Sequence, residues 1–348
     1  MSSHYIPIVV DSLGLARFDH VVSVDVSVDM SRVAGLRLLE LADTTIIDDQ
    51  VPFQIDRSGE HHRLTFVMRG VTSAYSTRSF RLMLDHEAIV VRYPAPLVTV
   101  SEVFHQSQPS YRIGTSSGEW IFHQQGAGFA SLIDVDGNDW ISFRPHGGSD
   151  GLYRGIPNIK NPQDYFHPGT PTGRSHVLSQ GAVCCRIHAE TLDGVCEAIY
   201  ELYPTHLAIR LLKAPQPYWF LYEGTPAGKL DEQNGFIVRS DGTRTPAGES
   251  WDAVLDPGWL YFGSSEARQV LFFAQQTTEH SVSSYWPMEH NMTVFGFGRK
   301  ELEDYLTLLP ATYYVGLMPD AAFEEVSARI EALRQPIDVQ VGALAVVS

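Results

Sequence analysis

The sequence predicts a mainly β protein with few helices, and three observations carry that expectation. Short stretches alternate apolar and polar residues along most of the chain, turn-forming clusters separate them, and a helical period appears only near the end. The alternation is cleanest in VVSVDVSVD, residues 21–29, the pattern of a half-buried antiparallel strand. Leu36–Leu41, Arg63–Met68, Ser79–Leu84 and Ala88–Tyr93 repeat it, with turns at Arg57-Ser58-Gly59 and Asp85-His86. Residues 1–115 therefore read as a β-sandwich of their own, with a boundary in the small polar stretch Tyr111–Gly118.

Strand patterns resume beyond it. Gly126–Phe143, GAGFASLIDVDGNDWISF, holds two apolar runs around a turn at Asp136-Gly137-Asn138. The DVDGND stretch lacks the roughly twelve-residue ligand spacing and closing glutamate of a calcium loop, so it reads as a turn. Further strands are expected at Ala182–Glu190, Ala198–Tyr203, Leu207–Leu212, Tyr218–Tyr222, Gly235–Arg239, Trp259–Phe262, Val270–Gln275 and Met292–Gly296. In PDAAFEEVSARIEALRQ, Phe323, Val326, Ile330 and Leu333 recur at helical spacing with Asp320 as a candidate N-cap. Lys300–Leu309 is a second, shorter helix candidate.

Composition narrows the partners. A net charge of −16 argues against nucleic acid and anionic membrane, and leaves a small carbohydrate or oligosaccharide and a homo-oligomer open. No apolar run of about 18 residues is present for a transmembrane helix. The opening MSSHYIPIVVDSLG lacks a basic n-region and an apolar h-region, so the expectation is a cytoplasmic protein, or a secreted one if a leader was removed. The three cysteines make no disulfide framework. None of the 14 histidines stands in a metal motif, and no nucleotide-binding glycine loop occurs, so no metal and no cofactor are expected.

The densest chemistry lies in Arg144–Gly173, where six glycines and five prolines in thirty residues prevent long regular elements. This loop carries His146, Asp150, Tyr153, Arg154, Asn158, Tyr165 and His167, and its aromatic residues argue for order. Three other segments are rich in polar and aromatic groups together. Trp219–Asp231 has Trp219, Tyr222 and Glu223; Ser283–Arg299 has Tyr285, Trp286, Glu289, His290 and Arg299; Trp120–Gly128 has His123, Gln124 and Gln125. Taken singly, each aromatic is ordinary core. Their concentration at strand ends beside glycine and proline suits a sugar, whose C–H face stacks on a ring while polar groups fix its hydroxyls.

The Gly126–Phe143 segment resembles the opening hairpin of the galactose-mutarotase-like superfamily, where a glycine-small run leads into S-L-x-D-x-x-G. Val51–Asp56 and Thr77–Phe80 are similar to the smaller β-domain that precedes such supersandwiches. The resemblance implies a large antiparallel supersandwich over residues 116–348 and a carbohydrate substrate, while fold alone leaves the reaction open.

Residue content then ranks three reactions. Elimination from a uronic acid needs a group on the carboxylate (Arg154, Asn158), a base (His167 or His290) and an acid (Tyr153, Tyr165 or Tyr222). Hydrolysis needs two carboxyls about 5 Å or about 6.5–9.5 Å apart, for which Glu223 and Glu289 are the best pair, with Asp150 in reserve. Epimerisation needs one His and one Glu at the anomeric centre, and His167 with Glu223 would serve. The loop's composition puts elimination first, hydrolysis second and epimerisation third. His146, Asp150, Asn158, Tyr165, Trp219, Trp286, Glu289 and Arg299 are the expected substrate contacts, on an enzyme rather than a passive glycan binder.

Overall fold

Alternating side chains on a strand face opposite ways, so a strand with apolar residues at every second position buries one face. The computed structural model, which describes residues 4–27, 33–58, 61–86, 94–145, 153–159, 166–288 and 291–346, is built from such strands. The chain divides into two units. The first comprises Met1–Leu97, Gly181–Cys184 and Glu331–Ser348; the second comprises Val98–Gln180 and Cys185–Ile330.

In the first unit, His4–Asp11 lies between Thr77–Asp85 and Asp338–Val341, and Gly35–Ala42 and Thr45–Asp48 extend the sheet beyond Thr77–Asp85. A second sheet pairs Arg17–Val26 and Phe53–Ser58 on either side of His61–Thr72. Ile6, Ile8, Val10, Phe80, Leu82 and Leu84 from one sheet meet Val22, Val26, Leu64, Phe66 and Met68 from the other in one core. The expected alternation in residues 21–26 is thus real, with Val22 and Val26 buried and Ser23 and Asp25 exposed. Ala88–Tyr93 lies outside the described residues.

The second unit holds two long antiparallel sheets. The site sheet runs Trp251–Val254, Val282–Met288, Met292–Phe297, Phe220–Gly224, Gly155–Asn158, Gly128–Ile133, Glu119–His123, Gln108–Gly114, Thr99–His105. Its companion runs Gly173–Gln180, Cys185–Thr191, Glu197–Leu202, Leu207–Lys213, Ala311–Pro319, Gln269–Gln275, Trp259–Ser264, Gly235–Arg239, Arg244–Pro246. Thr99–His105 and Gln108–Gly114, which the sequence places ahead of the boundary, are strands of this site sheet.

Aromatic side chains fill the space between the two sheets. Phe122 of the site sheet sits edge-on to Tyr200 of the companion at 5.0 Å, and Tyr222 stacks on Phe273 at 4.9 Å. Burying each such ring stabilises the fold by about 1.5–3 kcal/mol.

The helix spans Phe323–Arg334 and buries Val326 and Ile330, while Phe323 stacks on Trp259. Asp320 is not its N-cap, because the first helical bonds run from Glu325 and Val326 to the Ala322 carbonyl. At the other end the buried Arg17 guanidinium donates to the carbonyls of Ala332, Gln335 and Pro336, satisfying groups that a helix end leaves open. The helix expected at Lys300–Leu309 does not form. Gly298 and Glu301 adopt left-handed backbone angles, Arg299–Lys300 pairs with Glu303–Asp304, and Leu306 bridges to Tyr218.

The DVDGND turn is organised by Asp134. Its Oδ1 accepts from the backbone N–H of Asp136 and Asn138, and its Oδ2 from Asn138 Nδ2 and Trp140 Nε1, each at 2.9 Å. Gly137, with φ +88°, supplies the one position that must be left-handed.

Candidate functional site

Phe220–Gly224 is central to the site sheet and entirely buried, and its alternation sorts two sets of side chains. Phe220 and Tyr222 join the aromatic core between the sheets. Leu221 and Glu223 take the opposite face, where Trp219 and Leu221 pack with Met292, Val294 and Trp286. Tyr222, the expected acid, is fully buried on the core side, and its hydroxyl donates to the Trp140 carbonyl at 2.6 Å. Burial holds its pKa well above the usual value, and the nearby charge of Arg154 only partly opposes this.

The neighbouring strand comes from the long loop. Gly155–Asn158 inserts between Gly128–Ile133 and Phe220–Gly224, with Gly155 opposite Glu223 and Asn158 opposite Leu221. Past that strand, Phe166–Gly169 lies directly on the sheet, and three glycines make the approach feasible. A Cβ on Gly126 would stand 2.4 Å from the His167 carbonyl oxygen, one on Gly128 2.5 Å from that of Phe166, and one on Gly155 2.4 Å from Pro168 Cδ. The GAG run and Gly155 thus hold the segment that bears His167.

The polar groups converge as follows. His167 Nε2 is 3.3 Å from Glu223 Oε2, and Asn158 Nδ2 donates to the same oxygen at 3.2 Å. All three residues are buried. His167 Nδ1 is 2.8 Å from the Pro168 carbonyl, which can only accept, so Nδ1 carries a hydrogen. The two groups stand within ion-pair distance, and the contact is charged on both sides when His167 is protonated.

Beside it, the Arg299 guanidinium lies 4.5 Å from the Trp219 ring centre and 4.3 Å from that of Trp286. Its Nε donates to the Glu301 carbonyl at 2.7 Å. Burial brings its pKa down to about 10, opposed by the charge of Glu223, so it stays cationic at neutral pH. Contacts of this kind are each worth about 0.5–2 kcal/mol and fix the planes of all three groups. The Trp219 indole N–H is buried with no hydrogen-bond partner among the described residues.

A histidine pair flanks the other side. His123, fully buried and edge-on to Phe143, places Nε2 3.0 Å from His105 Nδ1. Desolvation, followed by the charges of His105 and His167, lowers the His123 pKa to about 3. His123 was visible in the sequence as a polar residue on an aromatic strand, whereas His105 was not, because only strand register brings it alongside.

The structure brings together His167, Glu223, Asn158, Arg299, Trp219 and Trp286. Arg154 is buried next to the Gly155–Asn158 strand, and Tyr153 is 49% exposed. His146, Asp150, Tyr165, Glu289 and His290 lie outside the described residues. Among the described residues, no three His, Cys, Asp or Glu side chains converge as metal ligands, and no helix is long and apolar enough to cross a membrane.

No protein-family profile and no curated protein sequence matches the chain. Among solved structures it is similar to a protein in glycosyl hydrolase family 38 from Enterococcus faecalis, with 8% identity and a TM-score of 0.48 over 97% of this chain. The chain spans 47% of the length of that protein. It is also similar to HI1317, with 9% identity and a TM-score of 0.43 over 64% of this chain and 99% of the other.

Proposed function

We propose that the protein is a carbohydrate-active enzyme in which His167 and Glu223 exchange a proton with the anomeric centre of a sugar. The reading rests on the 3.3 Å contact between the His167 imidazole and the Glu223 carboxylate. The anomeric hydroxyl and the ring oxygen sit on one carbon, so an acid and a base side by side can serve both. Glu223 takes the hydroxyl proton while His167 gives its proton to the ring oxygen. The C–O ring bond breaks, a carbonyl forms, and closure on the other face returns both protons. The Asn158 amide holds the carboxylate in place, and the Trp219–Arg299–Trp286 stack offers the flat surface a pyranose needs.

Hydrolysis would need a second carboxyl about 5 Å or more from Glu223, and its expected partner Glu289 lies outside the described residues. Elimination, first on residue content, loses Tyr222 to the core. It remains the second reading on one observation: Arg154 is buried beside the strand that bears Asn158, where it could neutralise a uronate.

NMR exchange spectroscopy on freshly dissolved aldoses, with uronate-containing oligosaccharides run in parallel, tests the reading. Faster anomer exchange that is lost in both His167→Asn and Glu223→Gln supports it. An unsaturated, ultraviolet-absorbing product would move the assignment to elimination, and new reducing ends to hydrolysis. Binding with no change in any sugar would make the protein a glycan-binding module.

A further inference from the structure

The row of side chains that contains Glu223 continues across the sheet. Glu223 pairs with Val294 and Val294 with Trp286, while one row over Leu221 pairs with Gly296, Gly296 with Ser284, and Ser284 with Asp252. Cross-strand partners share a face, so Glu223, Trp286, Ser284 and Asp252 all project from the site side of the sheet. The sheet ends at the Asp252 strand, three strand spacings or about 14 Å from that of Glu223. This distance is wider than one pyranose ring.

At that end lies a cavity of about 410 Å³, within the range of small-molecule sites, lined by Ser250, Trp251, Asp252, Ser284, Tyr285, Trp286 and Glu301. It is joined to the site by two of these residues. Trp286 stacks on Arg299, and Glu301 holds the Arg299 Nε through its carbonyl.

We infer that this cavity is a second sugar subsite, so that the substrate is the reducing end of a disaccharide or longer oligosaccharide rather than a free monosaccharide. The lining combines the Trp286 indole with the Ser250 hydroxyl and with the Asp252 and Glu301 carboxylates, which accept from sugar hydroxyls, while the Ser284 hydroxyl is held by Asp252 Oδ1 and the Arg299 carbonyl. Lys300 Nζ is 3.8 Å from Asp252 Oδ2, and Arg299 lies against Trp286. Lys300 thus lies beside the Asp252 carboxylate, and the Glu301 carboxylate adds a second acceptor for sugar hydroxyls. None of Ser250, Trp251, Asp252, Ser284 or Glu301 stands out in the sequence as a site residue. Only the pairing of the edge strand Trp251–Val254 assembles them.

The inference rests on the anomeric-centre reading, and one calorimetric experiment separates the two. Glucose and galactose are titrated against maltose, cellobiose and lactose, using wild type and the exposed-residue variants Asp252→Ala and Glu301→Gln. At least one disaccharide should bind ~10-fold tighter than its own reducing-end monosaccharide, and both variants should bring that ratio near unity. Equal affinities for mono- and disaccharides in wild type, or a ratio untouched by both variants, would overturn the subsite, as would binding of no sugar in the panel. Anomer exchange measured on the same samples tells the readings apart. Disaccharide preference without exchange keeps the subsite and removes the chemistry, whereas exchange without preference does the reverse.

Discussion

Replacing Gly126 by alanine should abolish the proposed activity without altering either side chain of the His167–Glu223 pair. The new Cβ would lie 2.4 Å from the His167 carbonyl oxygen, 3.0 Å from Pro168 Cα and 3.2 Å from Gly169 N, all backbone atoms that no rotamer change can move. Restoring an ordinary contact of 3.4 Å requires the segment to retreat by 3.4 − 2.4 = 1.0 Å. Since His167 stands 3.3 Å from Glu223, that displacement breaks the pair. A misplacement of this size costs about 10²-fold in rate, and the overpacking costs about 1–3 kcal/mol of stability. The backbone at Gly126 is not left-handed, so crowding is the only penalty for alanine there. Anomer exchange and thermal unfolding measured on one preparation would show both effects. A variant with wild-type rate and an unchanged Tm would refute the claim that the glycines position His167.

Other perturbations have distinct signatures. Tyr222→Phe should lower stability by about 0.5–1.5 kcal/mol through the lost hydrogen bond to the Trp140 carbonyl, which keeps the Thr225 N–H, while sparing the rate; a 10²-fold loss of kcat with unchanged Tm would assign Tyr222 as an acid. Arg299→Met should weaken sugar binding by loosening Trp219 and Trp286, seen as a raised KM, and an unchanged KM would mean the stack is only structural. His123 titrates near 3 when folded against 6.5 when exposed, so between those values the unfolded chain binds a proton that the folded chain refuses. Stability is then lost as pH falls from about 6.5 toward about 3, by up to about 1.4 kcal/mol per unit. Urea midpoints at two pH values in that window should fall less in His123→Asn than in wild type, and equal falls would contradict the assignment.

Much of the fold was legible because its strands announce themselves by period. Val22 and Val26 alternate with Ser23 and Asp25, and Gly235–Arg239 begins and ends where the pattern does. The long loop draws attention in the sequence because His167, Asn158 and Arg154 crowd a stretch that glycine and proline keep irregular, and the structure places the first two beside Glu223. Which face Tyr222 and Glu223 take was not legible, because every residue from Phe220 to Gly224 is buried and polarity no longer alternates. The edge cavity and the His105–His123 contact depend on register across several strands, and no local pattern encodes that. Lys300–Leu309 misled because its spacing suits a helix, while Gly298 and Glu301 turn the chain instead.

The most direct test is the anomer exchange rate itself, compared in wild type, His167→Asn and Glu223→Gln across aldoses and reducing disaccharides. Wild type should accelerate exchange of at least one sugar well above the buffer rate. Each variant should lose about 10²-fold or more of that acceleration with its fold intact. Exchange at the buffer rate for every sugar, or acceleration that survives both substitutions, would contradict the role given to the His167–Glu223 pair.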